Sequence, residues 1–330
     1  MSDSLREQAV KMLIAGSWHI YSRQTLDESV EYVAGVLDRG IKDFDIVDYW
    51  DCSISNTERF RDVMKILARP REDYKIGIKV FITDQTRESV LRKELERLDI
   101  EYADRCLFSR PRQGESLDHA IDEMYETLDL GLTKEVDFGM WDPKVALEAV
   151  QLMKKRGLPI PKTYQMAYNM CRRDAVESED FEALFREGIK LDAGMPLEAG
   201  MIAGHITRLR YDPEDKAQGL WYAEGERNMT RDAGNIRPKI IKMVPRIKEL
   251  AESIGATPAE FATAFVATHP HISGILFGAT KLWQVDEFIN GVVLGLEKPQ
   301  LVRELAEKCR VTGAAVPGYF DYGRFNLYKK

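Results

Sequence analysis

Short apolar runs alternate with amphipathic stretches along nearly the whole chain, and that alternation limits the fold more than any other feature. The apolar runs are residues 12–16, 44–47, 74–81, 106–108, 136–138, 163–166, 189–193 and 274–278. Helical periodicity covers 26–37, 55–67, 86–98, 116–130, 143–156, 178–187, 238–253, 258–269 and 283–294, and 299–309 reads as an appended helix. Eight strand–helix units in one direction predict an α/β protein of the (β/α)8 TIM-barrel class rather than an open sheet. The runs are short and apolar, as parallel strands buried on both faces should be. A doubly wound sheet would call for a glycine-rich phosphate loop after the first strand, and Ile14-Ala15-Gly16-Ser17-Trp18 is not one. No Pro/Gly linker divides the chain, so residues 1–330 are expected to form one domain. Residues 206–235 interrupt the rhythm, and their length, charge and aromatics (Tyr211, Trp221, Tyr222) predict a lid over the cofactor or the pocket.

Composition narrows the function classes. A net charge of −7 with no long basic tract argues against a nucleic-acid binder. No apolar run of about 18 residues predicts a membrane span. The polar start, Met1 to Glu7, lacks a signal-peptide apolar region, which with the other features predicts a cytoplasmic protein. Cys52, Cys106, Cys171 and Cys309 are scattered and read as reduced thiols. The histidines lack metal-ligand spacing, so no metal is expected. No serine stands in a Gly-x-Ser-x-Gly elbow.

In a barrel of this class, chemistry sits at the C-terminal ends of the strands. Two charges stand out because they interrupt apolar runs: Asp45 between Phe44 and Ile46, and Lys79 between Ile78 and Val80. Buried charges need partners. This pair either ties two strands together or forms a catalytic Asp–Lys couple. Trp18, Tyr49, Trp50 and Trp141 all fall at strand ends, where they either pack loops over the mouth or line a pocket. His19 reads as a loop histidine or a proton donor, and Asp48, Asp51, Ser109 and Arg112 share these strand-end positions.

These residues resemble the aldo-keto reductases, especially the branch that contains the potassium-channel beta subunits. The resemblance runs from Met12 to about Leu296. Ala15-Gly16-Ser17-Trp18 is similar to a first-strand Gly-Thr-Trp, and Gly40 through Asp45 to a Gly-x-x-x-Phe-Asp motif. Ile78-Lys79-Val80 resembles the third-strand lysine motif, and Leu95 through Asp104 the stretch before strand four. Gln165-Met166-Ala167-Tyr168-Asn169, Pro196-Leu197-Glu198-Ala199-Gly200, and Gly278-Ala279-Thr280 with Gln284 and Glu287 complete the set. Each motif alone is weak; their order and spacing are strong.

The resemblance implies a (β/α)8 barrel and NADPH-linked reduction by an Asp, Tyr, Lys and His tetrad. Asp45 and Lys79 match. The tyrosine position, five residues after the aspartate, holds Trp50, and the histidine position holds Ser109. The implied cofactor positions are Ser17, Trp18, Gln24, Asp45, Ser109, Gln165, Pro196, Leu197, Gly200, Gly278, Thr280, Lys281, Gln284 and Glu287. The family's stacking aromatic after strand seven is replaced by Gly194, with Trp141 a candidate substitute. The implied substrate pocket comprises Trp18, His19, Tyr49, Trp50, Arg112 and Trp141.

An indole cannot supply the proton that a phenol gives to a developing alkoxide. An imine is basic enough to arrive protonated, and its cation needs only a nearby carboxylate. Asp45, Asp48 and Asp51 offer that charge. The sequence therefore predicts an NADPH-dependent imine or imino-acid reductase. Ketone reduction with Tyr49, His19 or Lys79 as acid, and a retired cofactor-binding regulatory subunit, are the alternatives. The reading allows a homo-oligomer and a partner enzyme that supplies an unstable imine.

Overall fold

A computed structural model describes residues 3–18, 20–48, 54–81, 83–112, 114–205 and 236–311. Eight strands close a parallel barrel in chain order. They are β1 (Leu13–Gly16), β2 (Asp43–Ile46), β3 (Lys75–Val80), β4 (Arg105–Ser109), β5 (Val136–Gly139), β6 (Thr163–Ala167), β7 (Lys190–Gly194) and β8 (Ile272–Phe277). The helices are α1 (Asp3–Lys11), α2 (Leu26–Asp38), α3 (Asn56–Leu67), α4 (Arg87–Leu98), α5 (Leu117–Asp129), α6 (Pro143–Lys155), α7 (Glu179–Arg186), α8 (Ile236–Ser253), α9 (Pro258–Ala267), α10 (Leu282–Glu297) and α11 (Pro299–Glu307). The expected barrel is thus the observed one, with α11 as the appended helix.

The helices start where the backbone is offered a side-chain acceptor. Thr25, Ser55, Thr86, Ser116, Asp142, Ser178 and Thr257 each accept an amide from the first turn of the helix that follows. Thr25–Glu28 and Thr257–Glu260 are reciprocal capping boxes. These caps fix where each helix leaves the barrel's C-terminal face, and so fix the loops that carry the site. Helix α1 was not foreseen, because the start of the chain reads as polar. It forms through the buried pair Ala9 and Val10 and packs on α10.

Strand alternation sorts side chains into two layers. Phe44, Ile46, Ile76, Ile78, Phe108, Phe138 and Tyr164 are buried between the strands and the helices. The intervening positions point into the barrel, and among them are Asp43, Asp45, Lys79, Arg105, Asp137, Gln165 and Asp192. Among the described residues, no helix is long and apolar enough to cross a membrane.

Candidate active site

Asp45 is fully buried near the C-terminal end of β2, and both its oxygens are engaged. The Lys79 ammonium on β3 donates to Oδ1 at 2.9 Å, and the Gln165 amide on β6 donates to Oδ2 at 2.9 Å. Residues from three strands thus form one polar chain. The Asp–Lys couple expected from the sequence exists, and Gln165 joins it.

Deeper in the barrel lies a second charged group. Arg105 on β4 pairs with Asp192 on β7 and lies 3.4 Å from Asp43 on β2. Asp137 on β5 accepts the Thr163 amide at 2.9 Å. Two glycines make the room. A Cβ at Gly77 would stand 2.8 Å from Arg105 Nε, and one at Gly274 would stand 2.7 Å from Asp192 Oδ1. Burial pushes Asp43 and Asp137 up to about 6 against the pull of Arg105, and it raises Asp192 as well. Counting the described interior groups, four carboxylates face two cations, Lys79 and Arg105, so the barrel interior is acidic.

Of the implied cofactor positions, Asp45, Ser109 and Gln165 lie on β2, β4 and β6, and the others on the segments that follow β1, β7 and β8. The Gln24 amide donates to the Thr280 carbonyl at 3.2 Å, joining the loop after β1 to the loop after β8. Gln284 accepts the amides of Thr280 and Lys281 at 2.9 and 3.1 Å, closing the first turn of α10 and leaving the Lys281 side chain exposed. Gly278 is exposed and Glu287 half-buried. Pro196, Leu197 and Gly200 lie on a turn after β7 whose backbone is left-handed at Met195, Glu198 and Ala199. The Ser17 hydroxyl donates to the Val47 carbonyl and accepts the Val47 amide, so it ties β1 to β2. Trp18 is half-buried. Ser109, at the end of β4, borders a small cleft with Val80, Phe81, Arg87 and Arg112.

Three expectations need correction. Trp141 presents no ring surface to a pocket among the described residues. Its ring is fully buried against outward-facing Phe138 at 4.8 Å, and its indole N–H donates to the Phe108 carbonyl at 2.8 Å. Met140 takes a left-handed backbone (φ 55°) at the bend where the chain leaves β5 for this packing layer. Arg112 offers no open charge to a substrate. Its guanidinium is shared between Glu115 and Glu123 at 2.7 and 2.8 Å, and both carboxylates also hold Arg87. Burial raises Glu115, but the Arg87 and Arg112 contacts outweigh it and hold the group at about 2. Asp48 is likewise committed. It accepts the Asn56 amide at 2.6 Å, caps α3 and pairs with Arg97. His19, Tyr49, Trp50, Asp51 and the expected lid 206–235 lie outside the described residues.

Sequence reasoning missed Arg105, Asp137 and Asp192. The signal that exposed Asp45 was present for the last two: Asp137 sits between Val136 and Phe138, and Asp192 between Leu191 and Ala193. It also missed the buried pair of Arg172 and Glu198, 2.7 Å apart.

Residues 12–307 match the Aldo/keto reductase family. A protein of Oryza sativa subsp. japonica described as "Probable voltage-gated potassium channel subunit beta" is 25% identical over 308 residues, which cover 90% of this chain and 92% of its own. An Arabidopsis thaliana protein with the same description is 24% identical over 299 residues, covering 86% of this chain and 88% of its own.

Proposed function

The chain belongs to the aldo/keto reductase family, and we propose that it is an NADPH-dependent reductase of the C=N bond in a small imine or imino acid. The observation that carries this reading is the acidic barrel interior, taken with the sequence, in which Trp50 stands at the position of the family's acid. A cationic substrate is favoured at such a mouth, because the low-dielectric wall weakens the screening between interior charge and ligand.

The residues present fit a dinucleotide. The loops after β1 and β8 converge through Gln24 and Thr280, and Lys281 stands exposed at the start of α10. A helix N-terminus with a neighbouring cation suits a phosphate, which supports NADPH over NADH. Lys281 would meet the 2′-phosphate, and the turn 195–200 would hold the pyrophosphate side. When bound, the nicotinamide supplies a hydride to an electrophilic carbon.

The chain's own residues set the electrostatics. Asp45 provides fixed negative charge, and Lys79 and Gln165 hold the carboxylate in one orientation. An iminium carbon then needs no proton from position 50. The imine would come from a reaction that condenses an amine with a carbonyl or oxidises an amine, since a C=N bond in water soon hydrolyses.

Two other readings have support of their own. The Lys79 ammonium is a proton source for carbonyl reduction. The descriptions of the rice and Arabidopsis relatives favour a cofactor-binding regulatory subunit. The test is oxidation of NADPH and of NADH against a panel of imino acids and 2-oxo acids. Turnover of imino acids alone supports the proposal, and turnover of 2-oxo acids alone replaces it with carbonyl reduction. Tight NADPH binding without turnover of either class points to the subunit.

A further inference from the structure

We infer that Glu198, Arg172 and Asn169 are positioning residues for the cofactor, a buried network that fixes the turn 195–200. The inference rests on the reading above, in which that turn meets the dinucleotide.

Glu198 is completely buried and Arg172 nearly so. The guanidinium binds the carboxylate at two points, Nη2 to Oε1 at 2.7 Å and Nε to Oε2 at 3.1 Å. The Asn169 amide donates to Glu198 Oε2 and to the Met195 carbonyl, both at 3.0 Å. Its own oxygen accepts the amides of Cys171 and Arg172 at 3.1 and 2.8 Å. Side chains thereby staple the loop after β6 to the loop after β7, beside the backbone bond from the Tyr168 amide to the Gly194 carbonyl at 3.0 Å.

The stapled turn carries two independent costs. Its backbone is left-handed at three non-glycine residues, Met195 (φ 55°), Glu198 (φ 47°) and Ala199 (φ 57°). Such conformations persist only where the surroundings over-determine them. A buried ion pair also pays desolvation that an apolar pair of similar volume would avoid. Neither cost is explained by stability. Both are explained if the shape of the turn matters, and the turn lies on the barrel face where Asp45 and Lys79 open. Glu198 occupies the first variable position of the Pro-Leu-x-x-Gly segment, and its side chain is buried against Arg172 and Asn169.

The experiment is a titration of NADPH fluorescence with the parent protein and with Glu198→Gln, beside steady-state kinetics on a turned-over substrate and a melting curve. Glu198→Gln keeps the shape but loses the charge that holds Arg172. The expected result is a rise of tenfold or more in the NADPH Kd and KM, with the loss falling on these rather than on kcat at saturating NADPH. Glu198→Asp keeps the charge but not the two-point reach, and should fall between the two. If Glu198→Gln fails to fold, Arg172→Lys gives the same readout, since it retains charge and loses the fork. A lower melting temperature with an unchanged NADPH Kd would overturn the inference and leave the pair a purely structural one. If the parent protein binds no NADPH, the cofactor reading itself fails and this inference falls with it.

Discussion

The two faces of the barrel wall obey opposite rules. Outside the strands, Phe138 packs on Trp141 at 4.8 Å and Tyr164 at 5.8 Å, and Tyr164 packs on Phe181 at 4.9 Å. Inside, one residue away along β5, Asp137 sits among Arg105 and Asp192, with glycines opposite to make space. The outer layer removes apolar surface from water and so holds the barrel closed. The inner layer buries more negative than positive charge, which weakens the fold. The contrast assigns stability to one face and electrostatics to the other, and adjacent residues on a single strand can test it.

The largest effect belongs to the outer face. Phe138→Ala should cost about 3–5 kcal/mol of unfolding free energy, because a close-packed aromatic site relaxes only partly around the void. Denaturant unfolding measures this directly. A loss below about 1 kcal/mol would mean that the aromatic layer does not carry the barrel.

The next effect is catalytic and belongs to the inner face. Asp45→Asn should lower turnover by about 10²-fold or more, the scale for removing one electrostatic stabiliser. Trp50→Phe should change affinity more than rate. Should Trp50→Phe abolish turnover while Asp45→Asn leaves it intact, the iminium mechanism is wrong and the proton source must be sought in Tyr49 or His19.

Much of this architecture was legible in the residues, for a physical reason. Strand and helix periods are local properties, so all eight strands and the helices that follow them could be placed from apolar spacing. Asp45 and Lys79 were visible because a charge inside an apolar run must have a partner. What was not legible depends on direction and on distant partners. Trp141 follows β5 as a pocket residue would, yet the left-handed Met140 marks a bend into the outer layer. Arg112 reads as an open cation until α5 brings Glu123 against it, together with Glu115 just before that helix. Asp137 and Asp192 each interrupt an apolar strand in the same way as Asp45, but no single strand reveals that they converge around Arg105.

A smaller effect, of opposite sign to that of Phe138, is expected at its neighbour. Burial raises the Asp137 carboxyl to about 6 in the folded chain. The folded state therefore holds a proton that the unfolded state has released above about pH 4. Stability from this group is fully present below about pH 4 and is lost as pH rises through 6. Asp137→Asn removes that loss, and its amide oxygen can still accept the Thr163 N–H. The variant should match the parent near pH 4 and exceed it at pH 8 by up to about 3 kcal/mol, the worth of a shift of about two units. Unfolding curves at the two pH values check this. A variant that is less stable at pH 8 would show that the inner charges hold the barrel together after all, and the division between the faces would collapse.

The smallest effect tests the comparison at its edge, where charge is neither buried nor enclosed. Lys281 is exposed at the start of α10, where its amide donates to the Gln284 side-chain oxygen that closes the turn. Solvent screens a charge there, so its contribution to ligand binding should be modest and should fall with salt. Lys281→Glu should raise the NADPH KM by roughly tenfold at low ionic strength, in keeping with about 1 kcal/mol for a cation at such a site, and should leave the NADH KM nearly unchanged. At about 1 M salt, where the screening length shrinks to roughly 3 Å, most of the difference should vanish. The consequences of Asp45→Asn should survive the same salt, because the barrel wall excludes the ions that do the screening. Equal effects on NADPH and NADH would remove Lys281 from the 2′-phosphate. A salt-sensitive Asp45→Asn phenotype would place that carboxylate in contact with solvent, and the enclosed acidic interior could then no longer account for the choice of a cationic substrate.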